Sequence, residues 1–137
     1  ISSERKGMLV LGCDQMLECE GHWLDKAGDE KTARSQLQLL LGKSHRLITS
    51  AVLVRDGKTV WQKTEIATLH MRVLSPEFIN AYVGQMGERL LGSVGCYALE
   101  GLGSQLFDKI EGDHFVILGL PLIAFLAELR QQGILLS

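Results

Sequence analysis

The sequence predicts a mixed α/β (α+β) domain with a largely antiparallel sheet flanked by helices. Two turn sequences carry this prediction, because Glu20-Gly21 and Asp56-Gly57 each separate two strand-like runs, and Asp-Gly suits a type I′ hairpin turn. Helical periodicity follows each hairpin, and this order differs from a repeated βαβ pattern. A chain of 137 residues can bury a core of its own, so we expect a single domain over residues 1–137.

The first strand is predicted at Leu9–Gln15, a short and mainly aliphatic run that is typical of a buried strand. The run delivers Asp14 at its end, beside Gly12 and Cys13. A carboxylate next to a glycine at the end of a strand is well placed for chemistry on a rigid element. Taken alone, the stretch favours the simpler interpretation that Asp14 caps a turn by bonding to its own backbone.

The middle of the chain is predicted to form a helix and a long hairpin. The helix runs from about Asp29, a favourable N-cap, to Leu41, and Gly42 follows its end. A central strand over His45 to Val54 is expected to be buried on both faces because its second half is apolar throughout. The returning strand is predicted over Thr59 to Val73. The apolar face of the helix consists of Ala33, Leu37, Leu40 and Leu41.

Two further helices are predicted in the last part of the chain. One begins at Ser75-Pro76, and the last has Pro121 at its first position and ends at Gly133. Between them, the glycine-rich run 92–103 indicates either close approach of a ligand or a set of tight turns. A short strand is predicted over Ser104 to Ile110. The faces expected to be buried are Ile79, Tyr82, Val83 and Met86, then Leu122, Phe125, Leu126 and Leu129.

Composition and charge argue against several classes of function. Fourteen basic and sixteen acidic residues give a formal net charge of −2, so we expect no nucleic-acid partner. No segment approaches the roughly 20 apolar residues needed to cross a bilayer, and no signal peptide is visible, so we expect no membrane partner. Three cysteines without framework spacing favour a cytoplasmic protein. The spacing of Cys13, Cys19 and His22 matches no standard zinc pattern.

Several stretches, in the same order and over nearly the whole chain, resemble the Maf family of nucleoside triphosphate pyrophosphatases. They are GCDQ at 12–15, Lys26, GKSHRLIT at 42–49, and YALEGLG, IEG and GLPL between 97 and 122. The resemblance implies a Maf/ITPase-like elongated, two-lobed fold. It also implies hydrolysis of a nucleoside triphosphate to the monophosphate and pyrophosphate, aided by Mg²⁺ or Mn²⁺. Since many members are dimers, it adds a homodimer to the expected partners.

The resemblance also implies roles for individual residues. The family's proton-accepting aspartate falls on Asp14, which would orient the attacking water or help to hold the metal ion. The lysine of the family's G-K-P pattern falls on Lys26, a phosphate contact, although Asp25 and Ala27 replace its neighbours. Arg46 lies in the family's H-R-V-x-T pattern and is a candidate either for phosphate binding or for a structural ion pair.

Two positions concern the choice of substrate. Gln15 and Glu100 resemble the family branch that acts on 7-methyl-GTP, whereas the branch for dTTP and UTP has threonine and glutamine there. A carboxylate accepts hydrogen bonds from the N1–H and amine of guanine, and it favours a positively charged methylated ring. Trp23 or Tyr97 could stack on the base, although core packing is favoured for each. The alternatives are a dTTP/UTP pyrophosphatase and a non-catalytic nucleotide-binding module.

The chain departs from the family pattern in two places. The N-terminal S-x-x-R loop, which binds phosphate in the family, and the acidic pair after it have no counterpart before Gly7. We therefore expect residues 1–137 to lack the N-terminal phosphate-binding segment. In the last loop, Asp113 and the residues after it replace the family's S-x-x-N, so a polar contact is expected to be lost or moved.

Overall fold

The computed structural model describes residues 1–136 and contains one five-stranded antiparallel sheet, which confirms the mixed α/β class. The strand order is β2-β1-β3-β4-β5. The strands are β1 (Leu9–Cys19), β2 (His22–Leu24), β3 (Ser44–Arg55), β4 (Lys58–Met71) and β5 (Phe107–Glu111). The helices are α1 (Glu30–Leu40), α2 (Pro76–Met86), α3 (His114–Ile117) and α4 (Leu122–Gln131). Short 3-10 turns occupy Ser2–Glu4, Gly87–Gly92, Val94–Cys96 and Leu102–Leu106.

Both predicted hairpins are confirmed. Glu20 and Gly21 have φ angles of 52° and 84°, and Asp56 and Gly57 have φ angles of 51° and 77°. Two successive positive φ angles match the twist of the flanking antiparallel strands, which is why these short turns connect them. The first turn places β2 beside β1, and the second places β4 beside β3.

The strand β3 lies at the centre of the sheet, as predicted, because it pairs with β1 on one side and β4 on the other. The expected burial on both faces is wrong. One face is covered, whereas the other leaves Arg46 and Ser50 exposed and Val52 and Val54 half-buried. The covered residues alternate along the strand as His45, Leu47, Thr49, Ala51 and Leu53. Helices and turns therefore bury one side of the sheet, and residue parity decides which side a β3 side chain occupies.

The predicted first strand exists and is longer than expected, but its predicted burial is wrong. Residues 11–14 are exposed, and full burial begins only at Leu17. The reason is that β2 pairs only with Leu17–Cys19, so the outer edge of residues 9–16 pairs with no strand within residues 1–136. The exposed half of β1 carries Asp14, whose carboxylate is thereby open to solvent.

Two helices follow the sequence closely. Asp29 caps α1 by accepting a hydrogen bond from the Thr32 amide at 2.7 Å, and Ser75 caps α2 by accepting one from the Phe78 amide at 3.2 Å. All four residues predicted for the inner face of α2 are buried. The predicted face of α1 is buried too, except that Leu41 is half-buried. Together with Leu47 of β3 and Ala67, Leu69 and Met71 of β4, these faces form much of the core.

The last part of the chain requires corrections. The strand β5 starts at Phe107 and not at Ser104, because the preceding residues form a 3-10 turn. Pro121 is the N-cap of α4 and not its first helical residue. Val73 lies beyond the end of β4 and is 84% exposed. The face of α4 that was predicted to be buried is only half-buried, because this helix packs at the rim of the sheet. That face consists of Leu122, Phe125, Leu126 and Leu129.

Tight packing accounts for two glycines of the run 92–103. A Cβ on Gly95, whose φ is +77°, would lie 2.6 Å from Leu17 Cδ1 and 2.6 Å from Tyr97 Cε1. A Cβ on Gly103 would clash with the carbonyl of Ala98. At these two positions the chain approaches itself, which supports the interpretation as tight turns. Within residues 1–136, no helix combines the length and apolar character that crossing a membrane requires.

Candidate active site

Two adjoining cavities open beside the exposed half of β1. The inner pocket has a volume of about 180 Å³, and its lining includes Gln15, Val94, Tyr97, Leu99, Glu100 and Ile117. The outer cleft consists of two depressions of about 260 and 400 Å³ that share Asp14, Gln15, Lys26 and Val94. Gln15 and Val94 line both cavities, so the two are neighbours. The structure thus groups four of the five predicted site residues: Asp14, Gln15, Lys26 and Glu100.

Asp14 presents its carboxylate at the outer cleft. Its Oδ1 accepts a hydrogen bond from the Gln15 amide at 2.8 Å, which is the local backbone bond expected of a turn-capping aspartate. Its Oδ2 makes no hydrogen bond within residues 1–136. One oxygen therefore fixes the side chain, and the other remains available to a water molecule or a metal ion.

Hydrogen bonds from the Gln15 side chain link β1 to two other elements. Its Nε2 lies 2.8 Å from Thr49 Oγ1, 2.8 Å from the Val116 carbonyl and 3.2 Å from the Ile117 carbonyl. Carbonyl acceptors require the amide nitrogen on this side, so the hydrogen-bond network assigns the orientation of the amide. Its Oε1 accepts no hydrogen bond within residues 1–136. Gln15 consequently joins β1, β3 and α3 and offers an acceptor oxygen where the two cavities meet.

Lys26 lies on the loop between β2 and α1. The loop is held at Asp25, whose carbonyl accepts a hydrogen bond from Gln36 Nε2 at 2.9 Å, and at Ala27, which is 4% exposed. These two anchors flank Lys26 and fix where its ammonium group can reach. An ammonium group beside Asp14 can bind a phosphate as a point charge.

Arg46 lies outside both cavities. Its Nε donates to Glu18 Oε2 at 2.7 Å, and Glu18 also accepts a hydrogen bond from the Gly21 amide at 2.6 Å. The Gly21 hydrogen bond, followed by the Arg46 hydrogen bond, holds the pKa of Glu18 below its usual value. Arg46 points to the open face because its neighbour His45 points into the core. The structure shows the ion pair, and the phosphate role stays a prediction.

The two aromatic candidates have different surroundings. Tyr97 is 5% exposed and lines the inner pocket, so it belongs to the core and to the pocket wall at once. Trp23 is 55% exposed and lies opposite Glu18 on the open face of the sheet. The expectation of core packing is wrong for Trp23, because β2 is an edge strand and nothing within residues 1–136 covers that face.

Some residues of the site were missed in the sequence. Ser93, which precedes a 3-10 turn, and Val94, the first residue of that turn, line both cavities, and Leu118 and Gly119 close the cleft after α3. The thiol of Cys13 donates to the Gly119 carbonyl at 2.8 Å and thereby ties this loop to β1. Partial burial raises the pKa of the Cys13 thiol, so it remains protonated as a donor. The glycine-rich run was the only sequence signal for the 3-10 turn.

The donor set of the outer cleft fits a metal ion that is shared with a substrate. Within residues 1–136, no cluster of three or more His, Cys, Asp or Glu side chains is arranged to hold a metal ion. Asp14 and Asp25 both line the cleft. Mg²⁺ commonly binds through one or two carboxylates and completes its shell with water and substrate phosphates.

Comparison with known proteins identifies the family of the chain. It is 52% identical over 133 residues to a nucleoside triphosphate pyrophosphatase of Paramagnetospirillum magneticum, covering 97% of this chain and 69% of that protein. It is 50% identical over 133 residues to a 7-methyl-GTP pyrophosphatase of Mesorhizobium japonicum, covering 97% and 67%. The chain thus spans about two thirds of the length of these relatives. Because residues 1–132 match the family model described as Maf-like protein, the chain belongs to the Maf-like family.

Proposed function

We propose that the chain forms the active site of a nucleoside triphosphate pyrophosphatase that prefers 7-methyl-GTP. The observation that carries this proposal is the contact between the two cavities at Gln15. A nucleotide has a flat base at one end and a charged phosphate chain at the other. The inner pocket suits the base, and the outer cleft, with its carboxylate and ammonium groups, suits the phosphates and a metal ion.

The outer cleft holds the groups that phosphoanhydride hydrolysis requires. Asp14 orients a water molecule and accepts its proton as the water oxygen bonds to phosphorus and the bond to pyrophosphate breaks. Lys26 stabilises the negative charge that develops on the leaving pyrophosphate. Asp14 and Asp25 would hold Mg²⁺ or Mn²⁺ together with the phosphates, and this ion would neutralise further charge.

The inner pocket offers hydrogen-bond acceptors to a base. Glu100 supplies a carboxylate, and Gln15 supplies Oε1 because its amide nitrogen is already engaged. Guanine presents N–H donors at N1 and at its exocyclic amine, whereas uracil and thymine present one donor between two carbonyl oxygens. A 7-methylated ring adds a positive charge that Glu100 attracts. The relative from Mesorhizobium japonicum, named a 7-methyl-GTP pyrophosphatase, agrees with this preference.

Pyrophosphate release tests the proposal directly. The assay compares 7-methyl-GTP, GTP, UTP and dTTP with Mg²⁺ or Mn²⁺, for this chain and for a version preceded by a family-type S-x-x-R segment. We expect the highest kcat/KM with 7-methyl-GTP. A preference for UTP or dTTP would favour the pyrimidine alternative. Nucleotide binding without pyrophosphate release, in both versions and with folding verified by circular dichroism, would favour the non-catalytic module.

Changing Glu100 to glutamine should reduce the preference for guanine nucleotides. The substitution keeps the shape of the side chain but replaces a charged acceptor with a neutral amide, and hydrogen bonds to charged groups are worth about 1.5–3 kcal/mol. We expect the ratio of kcat/KM for 7-methyl-GTP to that for UTP to fall by about tenfold or more. Glu88→Gln is the matched control, because Glu88 is exposed and lines neither cavity. An unchanged ratio in Glu100→Gln would show that Glu100 does not contact the base.

A further inference from the structure

A buried histidine and a buried tyrosine are joined behind the inner pocket. His45 Nε2 lies 2.7 Å from the hydroxyl oxygen of Tyr97, and the two residues are 1% and 5% exposed. Phe107 contacts both rings, with centroid distances of 5.9 Å to His45 and 4.8 Å to Tyr97. The imidazole comes from the central strand β3, whereas Tyr97 forms part of the pocket wall. The pair therefore connects the rigid sheet to the proposed base site.

The backbone around Tyr97 is held in an unusual conformation. Cys96 has a φ of +61°, in the left-handed region that residues other than glycine rarely occupy, and it follows Gly95 at +77°. The Ser93 hydroxyl donates to the Tyr97 carbonyl at 2.7 Å, and the Tyr82 hydroxyl donates to the Cys96 carbonyl at 3.3 Å. Such conformations persist where the surroundings over-determine them, and they cluster at ligand-binding sites.

The hydrogen bond between His45 and Tyr97 leaves one hydrogen without an acceptor. Burial lowers the pKa of His45 to about 4, so the ring is neutral near pH 7 and carries one N–H. If that hydrogen is on Nε2, the Tyr97 hydroxyl hydrogen has no acceptor within residues 1–136. If it is on Nδ1, the hydroxyl donates to Nε2, and the buried Nδ1–H has none.

An incompletely satisfied polar pair is a poor device for stability. Two apolar rings of the same shape would fill the space without leaving a buried donor unpaired. What the hydrogen bond adds is direction, because it fixes the Tyr97 ring at one position and one angle against the sheet. That fixed ring stands in the same pocket wall as Glu100, three residues further along the chain.

We propose that His45 is a positioning residue that holds Tyr97 as a specificity-determining wall of the inner pocket. This inference rests on the proposed function, since it concerns how the pocket selects its base. A bicyclic purine reaches further across the pocket than a pyrimidine, and so it depends more on a wall at a fixed distance. Loss of the hydrogen bond should therefore weaken the binding of guanine nucleotides more than the binding of uracil nucleotides.

The test compares dissociation constants for GTP and UTP, measured by isothermal titration calorimetry in an Asp14→Asn background that limits turnover. In Tyr97→Phe the ring stays and only the hydroxyl is lost, so the fold should survive. We expect the ratio of the UTP constant to the GTP constant to fall by about three- to tenfold. His45→Ala should show the same loss, and His45→Gln, which offers an amide oxygen to the hydroxyl, should restore part of the ratio.

Tyr82→Phe is the matched control for this test. Tyr82 is also buried and donates one hydrogen bond to the same segment, but it lines a different cavity. We expect a lower melting temperature with an unchanged ratio. The positioning role alone would be overturned if folded Tyr97→Phe kept the ratio of the UTP to the GTP dissociation constant found in the Asp14→Asn background. It would also be overturned if Tyr82→Phe lowered that ratio as much as Tyr97→Phe does. A starting protein that binds neither nucleotide would overturn the proposed function together with this inference.

Discussion

Replacing Asp14 with asparagine is expected to slow pyrophosphate release by about 10²- to 10⁴-fold, the usual contribution of a positioned general base. Asparagine has nearly the same shape, but it neither accepts a proton near neutral pH nor offers a negative charge to a metal ion. The fold should be unaffected. Asp14 is exposed, and its one hydrogen bond, to the Gln15 amide, can be made by the asparagine oxygen. The free energy of unfolding should change by no more than about 0.5 kcal/mol.

The measurement is kcat with 7-methyl-GTP, alongside urea unfolding of the same preparations. Asp108→Asn is the matched control, because Asp108 is an exposed aspartate on β5, at the opposite edge of the sheet, and lines neither cavity. It should keep the starting rate. A wild-type rate in folded Asp14→Asn would remove Asp14 from the mechanism. A loss that accompanies unfolding would show that the residue is structural.

The same variant separates two roles of Asp14. If the carboxylate mainly holds the metal ion, raising the Mn²⁺ concentration should restore much of the rate, because Asp25 and the substrate phosphates remain in the cleft. If the carboxylate mainly accepts the proton, the rate should stay low at every Mn²⁺ concentration.

Features that depend on neighbouring residues were predicted well from the sequence. The two hairpin turns need only the positive φ angles that Gly21 and Gly57 adopt easily. The starts of α1 and α2 need only a capping oxygen at Asp29 and Ser75, three residues before the amide that each one accepts from. Such signals act within a few residues, so tertiary packing had little to change.

Burial was harder to predict because it depends on what covers a segment. The aliphatic run at Leu9–Gln15 is typical of an inner strand, yet residues 11–14 are exposed because β2 is short. The last helix has an apolar face but lies at the rim of the sheet, so that face is half-buried. Neither fact is encoded in the segment itself.

In the candidate site, too, some residues could be predicted from local sequence motifs, whereas others depend on contacts between distant parts of the chain. The resemblance of GCDQ and Lys26 to one family predicted residues that the structure brings together at the outer cleft. Arg46 belongs to the same kind of motif but lies outside both cavities, because the strand register places it opposite Glu18, its ion-pair partner, four residues along β1 from Asp14. Ser93 and Val94 were missed, since 3-10 turns have no strong sequence pattern, and their place beside β1 is a long-range contact.

Acid is expected to destabilise the fold through His45. Burial, with a smaller effect of His70, lowers the pKa of His45 from 6.5 to about 4 in the folded state. Between these values the unfolded chain binds a proton that the folded chain does not, so the free energy of unfolding falls as the pH falls. From about pH 7 to about pH 4.5 this one group should remove about 2 kcal/mol of stability. Below the folded pKa the loss stops growing, because both states are then protonated.

The double variant His45→Phe/Tyr97→Phe isolates this effect, because it keeps two packed rings and removes the titrating group. Urea unfolding at the two pH values should show a loss that is about 2 kcal/mol smaller than in the original chain. Other carboxylates with lowered pKa values, such as Glu18 and Glu111, also lose stabilising contacts in acid, but they are the same in both proteins. Tyr97→Phe alone keeps the imidazole and should keep the larger loss. If the original chain and the double variant lost the same free energy of unfolding between the two pH values, His45 would take up its proton in the folded state near its ordinary pKa. Water would then have to reach the ring.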